Sequence, residues 1–318
     1  MINKELIDIA ISASKNWGGT KSAPKLIKTR ENIVLDITLN SGQRAALRLH
    51  RPGYQSFDAI NSELLWMETL ADMRFPCPSP IRAISGELAI EIPNFRTISL
   101  IEWIEATEVG ESVSQLKETT LINLFTAIGH HIAQLHNLTD KIDTKSFTRT
   151  NWDSQAFFSE KPLWGKYWKN PSLSKDEATQ IYEARQKLSD EINTIHNSDI
   201  GLIHADLLKE NILENTSGLW FIDFDDSGFG FREYDLATAL IQHIDNPYFE
   251  SIKKALVNGY NNHRQYFKTN SNSLNFFIIL RSLASCGWVI GRVPDADPNQ
   301  RVQALRALKC LKRFSDFK

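Results

Sequence analysis

His204-Ala205-Asp206-Leu207-Leu208-Lys209-Glu210-Asn211, followed by Asp223-Phe224-Asp225, is the part of the chain that decides the fold. Each polar cluster stands at the end of an apolar, strand-like run: Gly201-Leu202-Ile203 leads into His204, and Leu219-Trp220-Phe221-Ile222 leads into Asp223. Between them, Asn211-Ile212-Leu213-Glu214 and the run Leu219 to Asp223 flank the turn formers Asn215-Thr216-Ser217-Gly218, the signature of a hairpin. With the turn at residues 215–218, antiparallel pairing sets Glu214 opposite Leu219 and Asn211 opposite or next to Ile222 and Asp223. Paired strands lie about 5 Å apart, close enough for a carboxamide and a carboxylate to share one ion.

These residue types carry a definite chemistry. His-x-Asp-x-x-x-x-Asn is the pattern of a kinase catalytic loop, and Asp-Phe-Asp is that of the D-F-G element with Asp225 in the place of glycine. Mg²⁺ takes hard oxygen ligands, commonly one or two from protein with phosphates and water completing the octahedron, a role that suits Asn211 and Asp223. Asp206 then faces the acceptor hydroxyl and takes its proton as the oxygen attacks the γ-phosphorus, while His204 orders the loop. A solvated acid on an exposed turn is the plainer reading of any one of these residues. Two segments at hairpin spacing, with helical patterns on both sides, outweigh it. Asp225 and Asp226 stay open between metal ligand and structural cap, and Asp235 reads as a helix-start or loop-bracing acid.

Upstream, the pattern is that of a small sheet. Leu6, Ile9, Ala10 and Ala13 recur at helical spacing up to Trp17-Gly18-Gly19, and then strands are expected at Lys25–Lys28, Ile33–Leu39 and Arg44–Leu49. A helix follows through Phe57, Ile60, Leu64 and Leu70 and stops at the prolines of residues 76–80. Two short strands, Ile81–Ile84 and Leu88–Ile92, lead to Leu100-Ile101-Glu102-Trp103-Ile104. Helices dominate afterwards, with stripes at Leu121, Phe125, Ile128, Ile132 and Leu135 and at Ala178, Ile181, Leu188 and Ile192, interrupted by the one hairpin. The aromatic-rich stretch from Trp152 to Trp168 reads as a structured insertion. No internal repeat or low-complexity tract is visible.

At 318 residues the chain is long enough for two lobes, each with a core. A formal charge of −2 gives no reason to expect a nucleic-acid partner. Cys77, Cys286 and Cys310 are isolated, which fits a reducing cytoplasm, and no apolar run approaches a membrane span.

On these residues the chain resembles the aminoglycoside phosphotransferase family, a kinase-like group that includes choline and homoserine kinases and a stress-response protein kinase. Gly201–Asp206, Ile222-Asp223-Phe224-Asp225-Asp226-Ser227-Gly228-Phe229-Gly230 and Tyr234-Asp235-Leu236-Ala237 carry the resemblance. Glu31–Val34, Leu47–Gly53, Ser62-Glu63 and Ile128–His136 sit upstream in the expected order. The resemblance covers roughly residues 15–245.

It implies an α+β, protein-kinase-like bilobal fold: a small antiparallel-sheet nucleotide-binding lobe at 1–101, a hinge at 102–106, and a mostly helical catalytic and substrate lobe at 107–318. It implies ATP and Mg as cofactors and a small-molecule hydroxyl acceptor, with a protein Ser/Thr kinase of the stress-response type as an alternative; Arg48 and Asp225 motivate a further alternative, an inactive nucleotide-binding scaffold. Arg48 would supply the cation for the α- and β-phosphates, with Glu63 holding it, and the backbone of Trp103 and Ile104 would read adenine. Arginine stands at 48 where the pattern usually has lysine, which keeps the charge but changes its reach. The phosphate-covering turn before Glu31-Asn32 has few glycines.

Other motifs are weaker. Gly18-Gly19-Thr20-Lys21-Ser22 fails the Walker A spacing, and Gly228-Phe229-Gly230 lacks the third glycine of a dinucleotide site. His130, His131 and His136 are badly spaced for zinc. The basic residues from Arg301 onward suit a helix with a solvated face. The acceptor is not legible; Arg281, Trp288, Arg292 and the insertion's aromatics are candidate lining residues, although packing is the commoner use of such aromatics.

Overall fold

The computed structural model describes residues 2–29, 32–92, 95–109, 116–192, 199–264 and 273–314. The expected turn before Asn32 falls partly outside them, as do Asp316 and Lys318. The chain divides into two compact units. The first comprises Met1–Thr107, Ile142–Arg149 and Glu214–Asp225; the second comprises Glu108–Lys141, Thr150–Leu213 and Asp226–Lys318.

The first unit opens with helix α1 (Ile2–Ser14), followed by strands β1 (Lys25–Thr29), β2 (Ile33–Thr38) and β3 (Arg44–Leu49), helix α2 (Phe57–Asp72), and strands β4 (Ala89–Glu91) and β5 (Thr97–Glu102). The strands form one antiparallel sheet in the order β1-β2-β3-β5-β4. Alternation in β2 sends Ile33, Leu35 and Ile37 inward, where they join Ala10, Ala13, Trp17, Leu47, Ile98 and Leu100 in a single core. The middle strand β3 is buried on both faces after Arg44. Leu47 and Leu49 therefore fill the core while Arg48, paired opposite Val34 and Ser99, points to the other side. Helix α2 starts where Ser56 Oγ accepts the Ala59 N–H at 3.1 Å. The expected strand at Ile81–Ile84 does not form. Pro80 lacks an amide hydrogen, Ile81 donates one bond to Leu100 O, and the chain then turns through Ser85-Gly86.

A two-residue strand, β6 (Thr107–Glu108), precedes the helical region of α3 (Glu118–Thr139), β7 (Thr150–Trp152), α4 (Ser154–Phe158), α5 (Lys175–Ile192) and β8 (Ile200–Ile203). The expected hairpin is β9 (Ile212–Asn215) and β10 (Gly218–Phe221), with a tighter turn than the four residues anticipated. Asn215 Oδ1 takes the Ser217 N–H at 2.8 Å, so Asn215 itself ends the strand. Then come β11 (Gly228–Phe231), α6 (Glu233–Ile241), α7 (Phe249–His263), α8 (Ser273–Trp288) and α9 (Pro298–Arg313).

The second unit also contains a sheet that the sequence did not disclose, β7-β11-β8, with β11 parallel to β7 and antiparallel to β8. Its strands have three or four residues, and Gly228 lies so close to its neighbour that a Cβ would sit 2.2 Å from Thr150 O. Trp152, 1% exposed, anchors it, edge-on to Trp164 at 4.9 Å and stacked on Tyr234 at 5.3 Å. The insertion is thus core, with Phe157, Phe158, Tyr167 and Trp168 also buried. Helix α9 packs Ala304, Ala307 and Cys310 inward, and its Arg301 pairs with Glu177.

Candidate active site

In the first unit, β3 and α2 bring Arg48 and Glu63 together. Arg48 Nη1 donates to Glu63 Oε1 at 2.7 Å, with side-chain exposures of 5% and 0%. Glu63 is therefore no solvated helix-face acid. Asp225 Oδ1 lies 3.6 Å from Arg48 Nη2 and is also buried. Burial works against the Arg48 charge, but Glu63, Asp225 and Asp223 together hold its pKa above the usual arginine range. Arg48 Nη2 nevertheless has no hydrogen-bond acceptor among the described residues. Nearby His50 is pushed well below its ordinary value, by burial first and then by Arg48 and Arg149, so it remains neutral, 2.8 Å from Ser99 Oγ.

Arg149 is a residue that sequence reasoning missed. It donates to Ala59 O at 2.9 Å and to Asp225 O at 2.6 Å, and lies 3.8 Å from Glu63 Oε2. It joins the start of α2 to the Asp223-Phe224-Asp225 backbone, which Gln55 also holds through Asp225 O at 3.1 Å. No local motif surrounds Arg149, so nothing in its neighbourhood could have signalled this role. Asp223 adopts φ +66°, is 37% exposed on its side chain, and has Lys28 Nζ 3.8 Å from Oδ2. Trp103 and Ile104 follow the last paired residue of β5, Glu102; Arg44 covers the Trp103 ring at 4.3 Å.

In the second unit, β8 delivers His204, Ala205 and Asp206 into a tightly bonded loop. Asp235 of α6 accepts the His204 N–H at 2.9 Å and the Ala205 N–H at 2.7 Å. His204 Nδ1 accepts the Asp206 N–H at 3.3 Å. Asp235 braces the loop, as its position suggested, and is backed by His136 Nε2 at 3.1 Å, itself 3.0 Å from Tyr260 Oη. Burial pushes the Asp235 carboxyl up to about 7 against the pull of those two backbone donors. Burial, with Arg232 and Arg264, drives His136 well below its ordinary value.

Asn211 closes a short 3-10 turn at Lys209–Asn211 and folds back on Asp206. Its Nδ2 donates to Asp206 O at 2.8 Å and to Asp206 Oδ2 at 3.0 Å, which leaves the Asn211 carbonyl oxygen for another partner. Arg281 of α8, a candidate lining residue by sequence, donates to Asp206 Oδ1 at 2.9 Å. The structure thus gathers Asp206 with Asn211 in the second unit, and Arg48 with Glu63, close to Asp223, in the first. Among the described residues no group of three or more His, Cys, Asp and Glu side chains gathers as a metal cage, and no helix is long and apolar enough to cross a membrane.

An antiparallel sheet carrying a buried arginine–glutamate pair, and a helical unit carrying an Asp–Asn loop, define an α+β protein of kinase-like fold. The chain belongs to the phosphotransferase enzyme family, whose pattern matches residues 28–268. Amicoumacin kinase from Bacillus subtilis (strain 168) is 23% identical over 238 residues, 73% of this chain and 66% of that protein, so the chain spans just under two thirds of this relative's length. Among solved structures, the microcompartment-associated aminopropanol kinase superposes with a TM-score of 0.79 at 24% identity, covering 96% of this chain and 95% of that one. The amicoumacin kinase hAmiN, solved in complex with AMP-PNP, Ca²⁺ and Ami, gives a TM-score of 0.71 at 18% identity over 91% and 88%.

Proposed function

We propose that this protein is an ATP- and Mg-dependent kinase that moves the γ-phosphate to a hydroxyl group of a small molecule. The observation that carries the reading is the loop in which Asn211 and Arg281 each hold one oxygen of the Asp206 carboxylate. A carboxylate fixed in this way suits a general base: it takes the hydroxyl proton as the new O–P bond forms and the bond to the departing ADP oxygen breaks. Arg48, kept charged and with Nη2 lacking a hydrogen-bond acceptor among the described residues, suits the nucleotide phosphates, with Glu63 fixing its position. The backbone of Trp103 and Ile104 is assigned to adenine.

The donor set also fits magnesium. The carboxamide oxygen of Asn211 and the carboxylate of Asp223 are hard oxygens, and an ion that keeps several waters needs only one or two protein ligands. When bound, Mg²⁺ supplies charge neutralisation at the phosphates. The AMP-PNP and Ca²⁺ in the hAmiN complex accord with a nucleotide and a divalent ion here.

A small acceptor is favoured over a protein by the brevity of the segment beyond Asp226. Strand β11 ends at Phe231, Arg232 caps α6, and α6 begins at Glu233, so no activation segment intervenes. The names of the relatives, amicoumacin kinase and aminopropanol kinase, point the same way. The test is ADP release from Mg-ATP across a panel of hydroxylated metabolites, with a mixed-protein sample alongside. Asp206→Asn should lower turnover by about 1,000-fold while nucleotide binding persists. Undiminished turnover in that variant, or phosphorylation of proteins alone, would reject the proposal.

A further inference from the structure

Asp206 is held from a helix more than seventy residues further along the chain. Arg281 donates from Nη2 to Asp206 Oδ1 at 2.9 Å and from Nη1 to Ser285 Oγ at 2.6 Å, one turn on along α8. Its guanidinium lies 4.8 Å from the ring centre of Trp164. The arginine side chain is 3% exposed, whereas that of Asp206 is 20% exposed. With Asn211 on Oδ2 at 3.0 Å, each carboxylate oxygen has a donor from a different element.

We infer that Arg281 is a positioning residue for phosphoryl transfer, setting the orientation of Asp206 toward the acceptor hydroxyl; the inference rests on the function proposed above. The physical ground is that Asp206 occupies a loop, where its χ1 and χ2 have no helix or sheet to restrict them. One donor fixes an oxygen and leaves rotation about it; two donors on two oxygens fix the plane of the carboxylate. The planar fork of Arg281 reaches Asp206 and Ser285 at once, and the Trp164 face holds the fork's plane. Burying a cation costs desolvation, so a pair made only for stability has little reason to end on a partly exposed carboxylate.

The experiment measures ADP release from Mg-ATP with 1-amino-2-propanol, choline, homoserine or water as acceptor, in the wild type and in Asp206→Asn, Arg281→Met, Arg281→Lys and Arg281→Ala. Arg281→Met should lower kcat by about 100-fold, since displacing a catalytic group by about 1 Å has that effect, with the KM for ATP and for acceptor little changed. Arg281→Lys keeps the cation but not the fork and should fall between Met and wild type. Arg281→Ala should regain part of its lost kcat on addition of guanidinium well below denaturing concentrations, with no change in melting temperature, and ammonium should not substitute for it. These rescue data keep the test decisive if the Met variant folds poorly. Wild-type kcat in Arg281→Met, or a raised acceptor KM at unchanged kcat, overturns the positioning role while Asp206→Asn remains inactive. Full turnover in Asp206→Asn, or none in the wild type with any acceptor, removes the functional reading itself and this inference with it.

Discussion

Asp235 accepts the backbone N–H of Ala205 at 2.7 Å, and Ala205 sits at φ +66°. A left-handed conformation costs an alanine about 1–2 kcal/mol, so the loop keeps it only because something outside the loop holds the amide in place. Asp235 does so, with the neighbouring His204 amide on its other oxygen at 2.9 Å. Replacing Asp235 with Asn turns one of these acceptors into a donor facing an N–H. Asp235→Asn is therefore expected to lose about 1–3 kcal/mol of stability. It should also reduce turnover by about 100-fold through the shifted Asp206. Urea unfolding and ADP release measure the two effects, and a variant with normal stability and turnover would show that the loop holds its shape without Asp235.

The same carboxylate sets a pH dependence. Its pKa in the folded protein is raised to about 7 by burial, above its unfolded value, so its contribution is complete below about pH 4 and is lost as pH rises through 7. His136 has the opposite sign: its folded pKa lies well below 6.5, so its contribution is present above 6.5 and is lost as pH falls. As pH falls below about 6.5 the two slopes oppose each other, and there the pair should add little net dependence. Removing one partner exposes the other. Relative to wild type, His136→Gln should lose stability as pH rises from about 4 to 7, by as much as about 1.4 kcal/mol per pH unit, whereas Asp235→Asn should gain it up to about 6.5. Urea midpoints across that range decide it; parallel profiles in the three proteins would contradict the assignment.

Much of this was legible because the residues involved lie in contiguous, patterned stretches. The alternation of Ile33-Val34-Leu35-Asp36-Ile37 announces β2, and the stripe from Leu121 to Leu135 announces α3. His204, Asp206 and Asn211 share one short loop, so their spacing can be read directly along the chain. What escaped notice depends on contacts distant in sequence. Gly228-Phe229-Gly230-Phe231 is too short and too glycine-rich to announce a strand, and it forms one because Thr150–Trp152 and Ile200–Ile203 flank it. The return of Ile142–Arg149 to the first unit leaves no local trace, so Arg149 was invisible. Ile81–Ile84 misled in the other direction: its apolar residues fit a strand, yet a single bond to β5 is all that Pro80 and the following turn permit.

Arginine at 48 and aspartate at 225 both depart from the familiar kinase pattern. They face each other: Arg48 spreads its two terminal nitrogens between Glu63 at 2.7 Å and Asp225 at 3.6 Å. A lysine has a single terminal nitrogen and cannot serve both carboxylates with the same geometry, and a glycine at 225 would remove the carboxylate that lies 3.6 Å from the second arginine nitrogen. Arg48→Lys and Asp225→Gly should each destabilise the protein by about 2–3 kcal/mol, because each leaves a buried charge less well compensated. The double variant, which restores the familiar pair, should lose less than the sum by about 1–2 kcal/mol. Urea unfolding of the four proteins gives that coupling, and ATP binding measured in parallel should follow the charge at position 48 rather than the stability. Strict additivity would mean that Arg48 and Asp225 are not energetically coupled and that Asp225 answers to some group other than Arg48.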